Sequence, residues 1–437
     1  MDLRRGSRLW LLAPLAAGAL AAALGLLLLG RKSLSTDEAF EVALARQTLA
    51  DVLDDAGSRL GSSAHLLLIH PVARVNDAEW AVRAPSVVAV VLAAVLLYVL
   101  GSRLFGRLAG AVAGVALALH AGVVAVAQLA QPYGLAVLGV VLATLLFVIA
   151  LERGSVGWAV AYALSVALLP FLHPAAASVA AAQLAAAIVR DRRPSPALLA
   201  SVAGCAVAVP VLVAVGLDRP DGGTLDLGDL AEGVARGAGW NPVLVVLAGL
   251  GIVFAAVRLH EAALWKAVLV GGLVVAPLAA LLLAALVVTV FPDWALVVTA
   301  PGLALGVGAA VGGLAESRAL VAIGALAAAA VVALVFQYRA EPDEDWRAAA
   351  RAVRLVSRPG ETVVVTPERA RPAFEYYAPD VRTSRVARGD AAWVLVPARS
   401  PEEAIELGRA VVPTPRYALR RQFRYGDGLR LQHWVRP

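Results

Sequence analysis

The feature that most restricts this chain is a series of about eleven apolar runs, each close to the twenty or so residues a helix needs to cross a bilayer. Their approximate bounds are 9–29, 82–100, 108–127, 132–151, 156–172, 174–189, 198–216, 242–257, 264–290, 295–314 and 320–336. Composition agrees: of 437 residues, 60% are hydrophobic and only 16% charged, and the mean hydropathy of +0.78 lies outside the range of soluble domains. The expected fold class is an all-α polytopic membrane protein over residues 1–336, followed by a small α/β tail over 337–437.

The charges give these spans a direction. Arg4, Arg5 and Arg8 precede the first run, whose length suits a retained helix, and Gly30-Arg31-Lys32 makes a poor signal-cleavage site. With the N-terminus inside, the cytoplasmic connections carry Arg103, Arg107, Arg153, Arg190, Arg192, Arg193, Arg258, Lys266 and Arg318. The opposite loops are acidic, with Asp37, Glu38, Glu41, Asp51, Asp54 and Asp55 in the first and Asp218, Asp221, Asp226, Asp229 and Glu232 in a later one. A net charge of +6 is thus a topology signal rather than a nucleic-acid footprint. Cys205 is the only cysteine, so an intrachain disulfide and a cysteine metal cluster are excluded. The bias to Arg, Ala and Val suits a GC-rich bacterial genome.

Between the first two spans, residues 31–80 have apolar positions at helical spacing and are expected to form one or two amphipathic helices along the membrane surface. At their start stand two adjacent carboxylates, Asp37 and Glu38, a few residues beyond a span. Acids at a membrane mouth need either bulk water or a polar cleft. They also suit the first turn of a helix capped by Ser35 or Thr36, which needs no further role. After residue 336, the stretch from Asp345 to Val353 reads as an amphipathic helix, Thr362 to Val365 and Ala392 to Val396 as strands, and Pro401 to Ala410 as a helix capped by Ser400. The sequence has no P-loop, no Gly-x-Gly-x-x-Gly after a strand and no His-Glu-x-x-His.

Several stretches, in order, resemble the glycosyltransferase C superfamily, in particular the branch related to protein O-mannosyltransferases and lipid-A aminoarabinose transferases. They are Asp37-Glu38-Ala39, Leu66-Leu67-Leu68-Ile69-His70, Arg83-Ala84-Pro85-Ser86, the run from Leu100 to Gly110, and Ala127-Gln128-Leu129-Ala130-Gln131-Pro132-Tyr133. The resemblance covers residues 34–150 and is vague beyond them. It implies transfer of a sugar, mannose by kinship, from a polyprenyl-phosphate donor to a protein or envelope-glycan acceptor on the outer face of the plasma (inner) membrane. It also implies inversion at the anomeric carbon, with Asp37 as base and Glu38 beside it. The chain departs from the family pattern at Ser62-Ser63-Ala64-His65, at Leu129 and Gln131, and at Asp293-Trp294.

The chemistry needs a carboxylate to take the acceptor proton and cationic or hydrogen-bonding groups on the phosphate. Asp37 alone can meet the first need. Glu38 can orient the acceptor or, with Asp37, hold a divalent cation such as Mg or Mn through water-rich oxygen ligation; no other cofactor is implied. His65, Gln128, Gln131, Tyr133, His173 and Arg219 are candidates for donor or acceptor binding. Each has a plainer reading: Tyr133 as an interfacial anchor, His173 in a structural hydrogen bond before Pro174, and Arg219 in a surface ion pair. Trp294 reads as an aromatic-belt residue or a sugar platform. Two other functions fit the same pattern, a non-catalytic binder of lipid-linked sugar and a lipid or sugar transporter.

Overall fold

The computed structural model describes residues 9–191, 194–217, 227–258, 263–287, 294–358, 361–412 and 416–437. Its helices are α1 (Leu9–Leu26), α2 (Thr36–Ala45), α3 (Leu49–Ser58), α4 (Ser63–Val75), α5 (Glu79–Phe105), α6 (Arg107–Ala118), α7 (Ala121–Ala127), α8 (Tyr133–Arg153), α9 (Val156–Leu172) and α10 (Pro174–Ala177). They continue with α11 (Val179–Arg190), α12 (Pro196–Leu217), α13 (Leu227–Gly237), α14 (Pro242–Arg258), α15 (Leu264–Val287), α16 (Ala300–Gly313), α17 (Glu316–Arg339), α18 (Trp346–Val356), α19 (Arg371–Tyr377) and α20 (Pro401–Val411).

Each apolar run of the sequence contains helix. Among the described residues, five helices are long and apolar enough to cross a membrane, or up to seven if each sharply bent pair is one span. Small residues let these helices approach closely, which replaces the hydrophobic drive missing between apolar surfaces in lipid. A Cβ on Gly251, for example, would lie 1.9 Å from the Gly306 carbonyl oxygen where α14 crosses α16. The run over 108–127 is not one straight helix: α6 and α7 meet at 58°. His120 fills the break, accepting the Val123 N–H at 3.2 Å and bonding the Gly237 carbonyl at 3.0 Å. Gly122 faces the Arg236 carbonyl so closely that a Cβ would stand 2.4 Å from it. This contact fixes the end of α13, and with it Arg236, against α7.

The segment between α1 and α5 differs from the surface helices expected of it. It forms three helices, α2 to α4, and their apolar faces share one core with the tail, in which Leu34, Val42, Leu66 and Ile69 meet Trp346, Phe374, Trp393 and Leu431. The tail carries a mixed five-stranded sheet of strands β1 (Thr362–Val365), β2 (Thr383–Ser384), β3 (Ala391–Pro397), β4 (Ala418–Arg424) and β5 (Leu429–Val435) in the order β2-β1-β3-β5-β4. Because side chains alternate along a strand, Val363 and Leu395 face the core shared with α2 to α4, while Val364 and Val394 face α20. Ser400 caps α20 in a reciprocal pair with Glu403, as its spacing foretold.

Candidate active site

Asp37 and Glu38 open α2, and the cap there is complete. The Ser35 hydroxyl accepts the Glu38 N–H at 3.3 Å, and the Glu38 carboxylate accepts the Ser35 N–H at 3.0 Å. Residues two and three of a helical turn point about 100° apart, so the neighbours part company. Glu38 turns inward and is 1% exposed; Asp37 turns outward and is exposed.

Inside, Glu38 meets Arg83, itself 1% exposed near the start of α5. The guanidinium grips the carboxylate with two bonds, Nε to Oε1 at 2.8 Å and Nη2 to Oε2 at 2.9 Å. Its remaining donors reach the carbonyls of Leu29, Lys32 and Ser33 at 2.9 to 3.1 Å, and the Ala130 N–H adds a further bond to Glu38 at 2.8 Å. Burial alone would raise the Glu38 carboxyl. The Arg83 charge, its hydrogen bonds and the two backbone amides outweigh that and hold it below the usual carboxylate range. Both oxygens of Glu38 are therefore committed, and it is a poor partner for a metal shared with Asp37. Among the described residues, no group of three His, Cys, Asp or Glu side chains is placed to hold a metal ion.

A cleft of about 640 Å³ lies against this ion pair. Its walls combine apolar residues at the ends of α1 and α17, including Leu29, Ala333 and Phe336, with the cations Lys32, Arg83, Arg236 and Arg339 and the carboxylates Glu38, Glu232, Glu341, Asp343 and Glu344. Arg236 pairs with Glu232 at 2.5 Å and lies 4.7 Å from the centre of the Trp294 ring, so that aromatic stacks on an arginine. The Lys32 ammonium has no hydrogen-bond or ion-pair partner among the described residues. Burial lowers its pKa, opposed by Asp343 and reinforced by Arg31 and Arg83.

Asp37 lines a second, smaller cavity of about 310 Å³ between α2 and the tail. The two cavities share a wall made by Ser35 and Glu344. Glu344 is stitched to α2: its Oε2 accepts the Thr36 N–H at 2.7 Å, the Thr36 hydroxyl at 2.6 Å and the Trp346 indole N–H at 2.7 Å. The Ser33 hydroxyl bonds its carbonyl at 2.7 Å. Burial raises the Glu344 carboxyl, the Thr36 and Trp346 bonds oppose the rise, and the charge of Asp37 adds to it. The tail is clamped nearby, where Arg347 and the Tyr377 hydroxyl both engage Glu79 and that hydroxyl accepts the Leu34 N–H at 2.7 Å.

The other sequence candidates scatter. Gln128 lines the larger cleft, but its amide is spent on carbonyls in the last turn of α1 and just beyond it, closest to Leu27 at 2.6 Å. His65 is fully buried instead of lying on a surface, with Nδ1 2.6 Å from Glu41. Tyr133 and His173 pack together with ring centres 5.1 Å apart and planes tilted by 44°, and His173 accepts the Ala175 N–H as a helix cap. Gln131 is half-buried, and its carbonyl accepts the Ser86 hydroxyl at 3.4 Å. None of His65, Gln131, Tyr133 and His173 lines either cavity. Arg219 and Asp293 lie outside the described residues. Sequence reasoning missed Lys32, Arg83, Arg236, Arg339 and Glu344 as site residues; the one visible signal was Arg83, an arginine inside the start of an apolar run.

Residues 64–215 match the model of a family described as dolichyl-phosphate-mannose-protein mannosyltransferase. No curated protein matches the chain. Among solved structures, ArnT from Cupriavidus metallidurans bound to undecaprenyl phosphate superposes over 96% of this chain and 97% of that one, at 12% identity and a TM-score of 0.58. Its apo state gives 0.61 with the same identity and coverage. The archaeal oligosaccharyltransferase AglB from Archaeoglobus fulgidus, in complex with an inhibitory peptide and a dolichol-phosphate, gives 0.54 at 14% identity, covering 84% of this chain and 63% of that one. The chain thus has the glycosyltransferase C fold, and its residues 64–215 carry the sequence pattern of the dolichyl-phosphate-mannose-protein mannosyltransferases.

Proposed function

We propose that this protein is a polytopic membrane glycosyltransferase of about eleven spans, N-terminus inside. It moves a sugar, mannose by kinship, from a polyprenyl-phosphate donor to an acceptor hydroxyl on the outer face of the plasma membrane. The observation that carries this reading is the larger cleft, lined by Ala333 and Phe336 of a membrane helix and by a mixed set of charges in which Lys32 is a cation with no ion-pair partner among the described residues. A polyprenyl phosphate needs both kinds of wall, an apolar one for its chain and a cationic one for its head group. ArnT bound to undecaprenyl phosphate and AglB with dolichol-phosphate lend the donor class.

In this reading, Asp37 takes the proton from the acceptor hydroxyl as its oxygen bonds to the anomeric carbon. The bond from that carbon to the phosphate oxygen breaks, and the electron pair leaves with the polyprenyl phosphate, whose charge Lys32, Arg236 and Arg339 stabilise. Asp37 lines the smaller cavity and the cations the larger, and Ser35 and Glu344 line both; in this reading acceptor and donor meet across that shared edge. Glu38, with both oxygens held by hydrogen bonds, pairs with Arg83 to hold the turn that presents Asp37. The test is transfer from radiolabelled undecaprenyl-phospho-mannose by purified protein. Asp37→Asn is expected to stay folded and bind the lipid without transferring sugar, and full activity in that variant would remove Asp37 as base.

One observation favours a second reading, a non-catalytic binder of lipid-linked sugar: Asp37 and the cations Lys32, Arg236 and Arg339 open on different cavities. Donor bound but never turned over by the wild-type protein would select it.

A further inference from the structure

The two cavities differ in what forms them. The larger reaches apolar residues of α17. Every residue lining the smaller belongs either to 35–37 or to the tail, and none comes from a helix long enough to span a membrane. A bilayer-anchored acceptor would find no apolar wall there to follow. The smaller cavity offers carboxylates at Asp37, Glu344 and Glu403, one guanidinium at Arg369 and flat apolar surface at Pro367, Pro397 and Leu407. Its volume of about 310 Å³ is at the small end for ligand sites, roughly 300–1,000 Å³.

We infer that this cavity receives the acceptor, and that the acceptor is the end of a water-borne, uncharged glycan. The inference rests on the proposed transferase activity and adds the substrate class. Sugar hydroxyls are donors that carboxylates accept, and the C–H face of a sugar ring packs on Pro and Leu. Three carboxylates against one arginine disfavour a phosphorylated or otherwise anionic acceptor. A peptide fits less well, because extended peptides dock by adding to an open strand edge. The strand that ends at Pro397, β3, is already paired on both sides, by β1 and β5. Glu403 and Leu407, both on α20, then become specificity residues supplied by the tail, and Asp37 is the one member of the set that accepts the proton.

The test uses full-length protein in nanodiscs with radiolabelled undecaprenyl-phospho-mannose and a cell-envelope fraction as acceptor, followed by separation into water-soluble glycan, chloroform-soluble lipid and acid-precipitated protein. The expected result is label in the water-soluble glycan. Leu407→Trp, which fills the cavity, should lower that signal by about tenfold or more while undecaprenyl phosphate binding by native mass spectrometry stays within about twofold. Glu403→Gln, which keeps the cap on α20, should raise the KM for glycan several-fold with kcat little changed, and it tests the cavity even if the bulky variant folds poorly. Label transferred to protein or to a lipid other than the donor, resolved from it by thin-layer chromatography, or both variants behaving as wild type, overturns the inference and leaves the transferase reading standing. Label that stays entirely on the donor, with lipid binding intact, overturns the transferase reading and the inference with it.

Discussion

The inner and outer sides of the first turn of α2 carry adjacent carboxylates with opposite fates. Glu38 is dry, and hydrogen bonds from Arg83, Ala130 and Ser35 occupy both its oxygens. Asp37, one residue earlier, faces a wet cavity. A group that must accept a proton needs free lone pairs, and a group that must hold a turn still needs none. In the proposed mechanism the pair divides these tasks, so the comparison turns on which acid, when altered, costs activity and which costs stability.

The largest expected effect is on activity. Asp37→Asn should lower sugar transfer by about 10²–10⁴-fold, the range for a lost general base, with an unchanged melting temperature. A melting temperature that falls as far as for Glu38 variants would erase the contrast. Next comes Glu38→Gln, which leaves a buried guanidinium unpaired and should cost about 3–5 kcal/mol of stability, read by thermal unfolding in detergent. Its pH dependence sharpens the point. The folded carboxyl of Glu38 lies below its ordinary value, so its contribution is complete at neutral pH and is lost as pH falls from about 4.3 through the lower folded value. Glu38→Gln should lack that acid-side loss.

Smaller effects test the larger cleft and the clamp. Lys32→Ala should weaken undecaprenyl phosphate binding by roughly 1.5–3 kcal/mol, as expected for a charge-assisted bond, with little change in melting temperature. Because burial lowers the Lys32 amine, wild-type affinity should decline at a lower alkaline pH than an ordinary lysine would give. The smallest is Tyr377→Phe, which removes the hydroxyl joining Leu34 and Glu79 and should cost about 1 kcal/mol, seen as faster hydrogen exchange in residues 34–37.

Much of this architecture was legible because a bilayer demands long apolar helices and their lengths survive in the sequence. The break at His120 was not, since Leu119 and His120 disturb the apolar run too little to mark a 58° bend. In the tail, β1, β3 and α20 announced themselves through β-branched runs and a cap. The edge strand β4 did not, because ALRRQFR is largely exposed and carries charge where a buried strand would carry valine. At the site, Asp37 was found from its neighbourhood in the chain. Its surroundings were hidden because they come from far away: Arg83 lies 45 residues from Glu38 and Glu344 lies 308 from Thr36. The cations that line the cleft, Lys32, Arg236 and Arg339, carried no motif that set them apart.

The grip of Arg83 on three carbonyls and one carboxylate has a consequence for biogenesis. The turn between α1 and α2 is tied first by a residue of α5 and then by Glu344 of the tail, so its last bonds form only after the tail has been made. A nascent chain carries Asp37 from the outset, yet the vestibule around that acid closes only when the final quarter of the polypeptide has emerged and docked. On the proposed function, sugar transfer at Asp37 therefore waits for the tail.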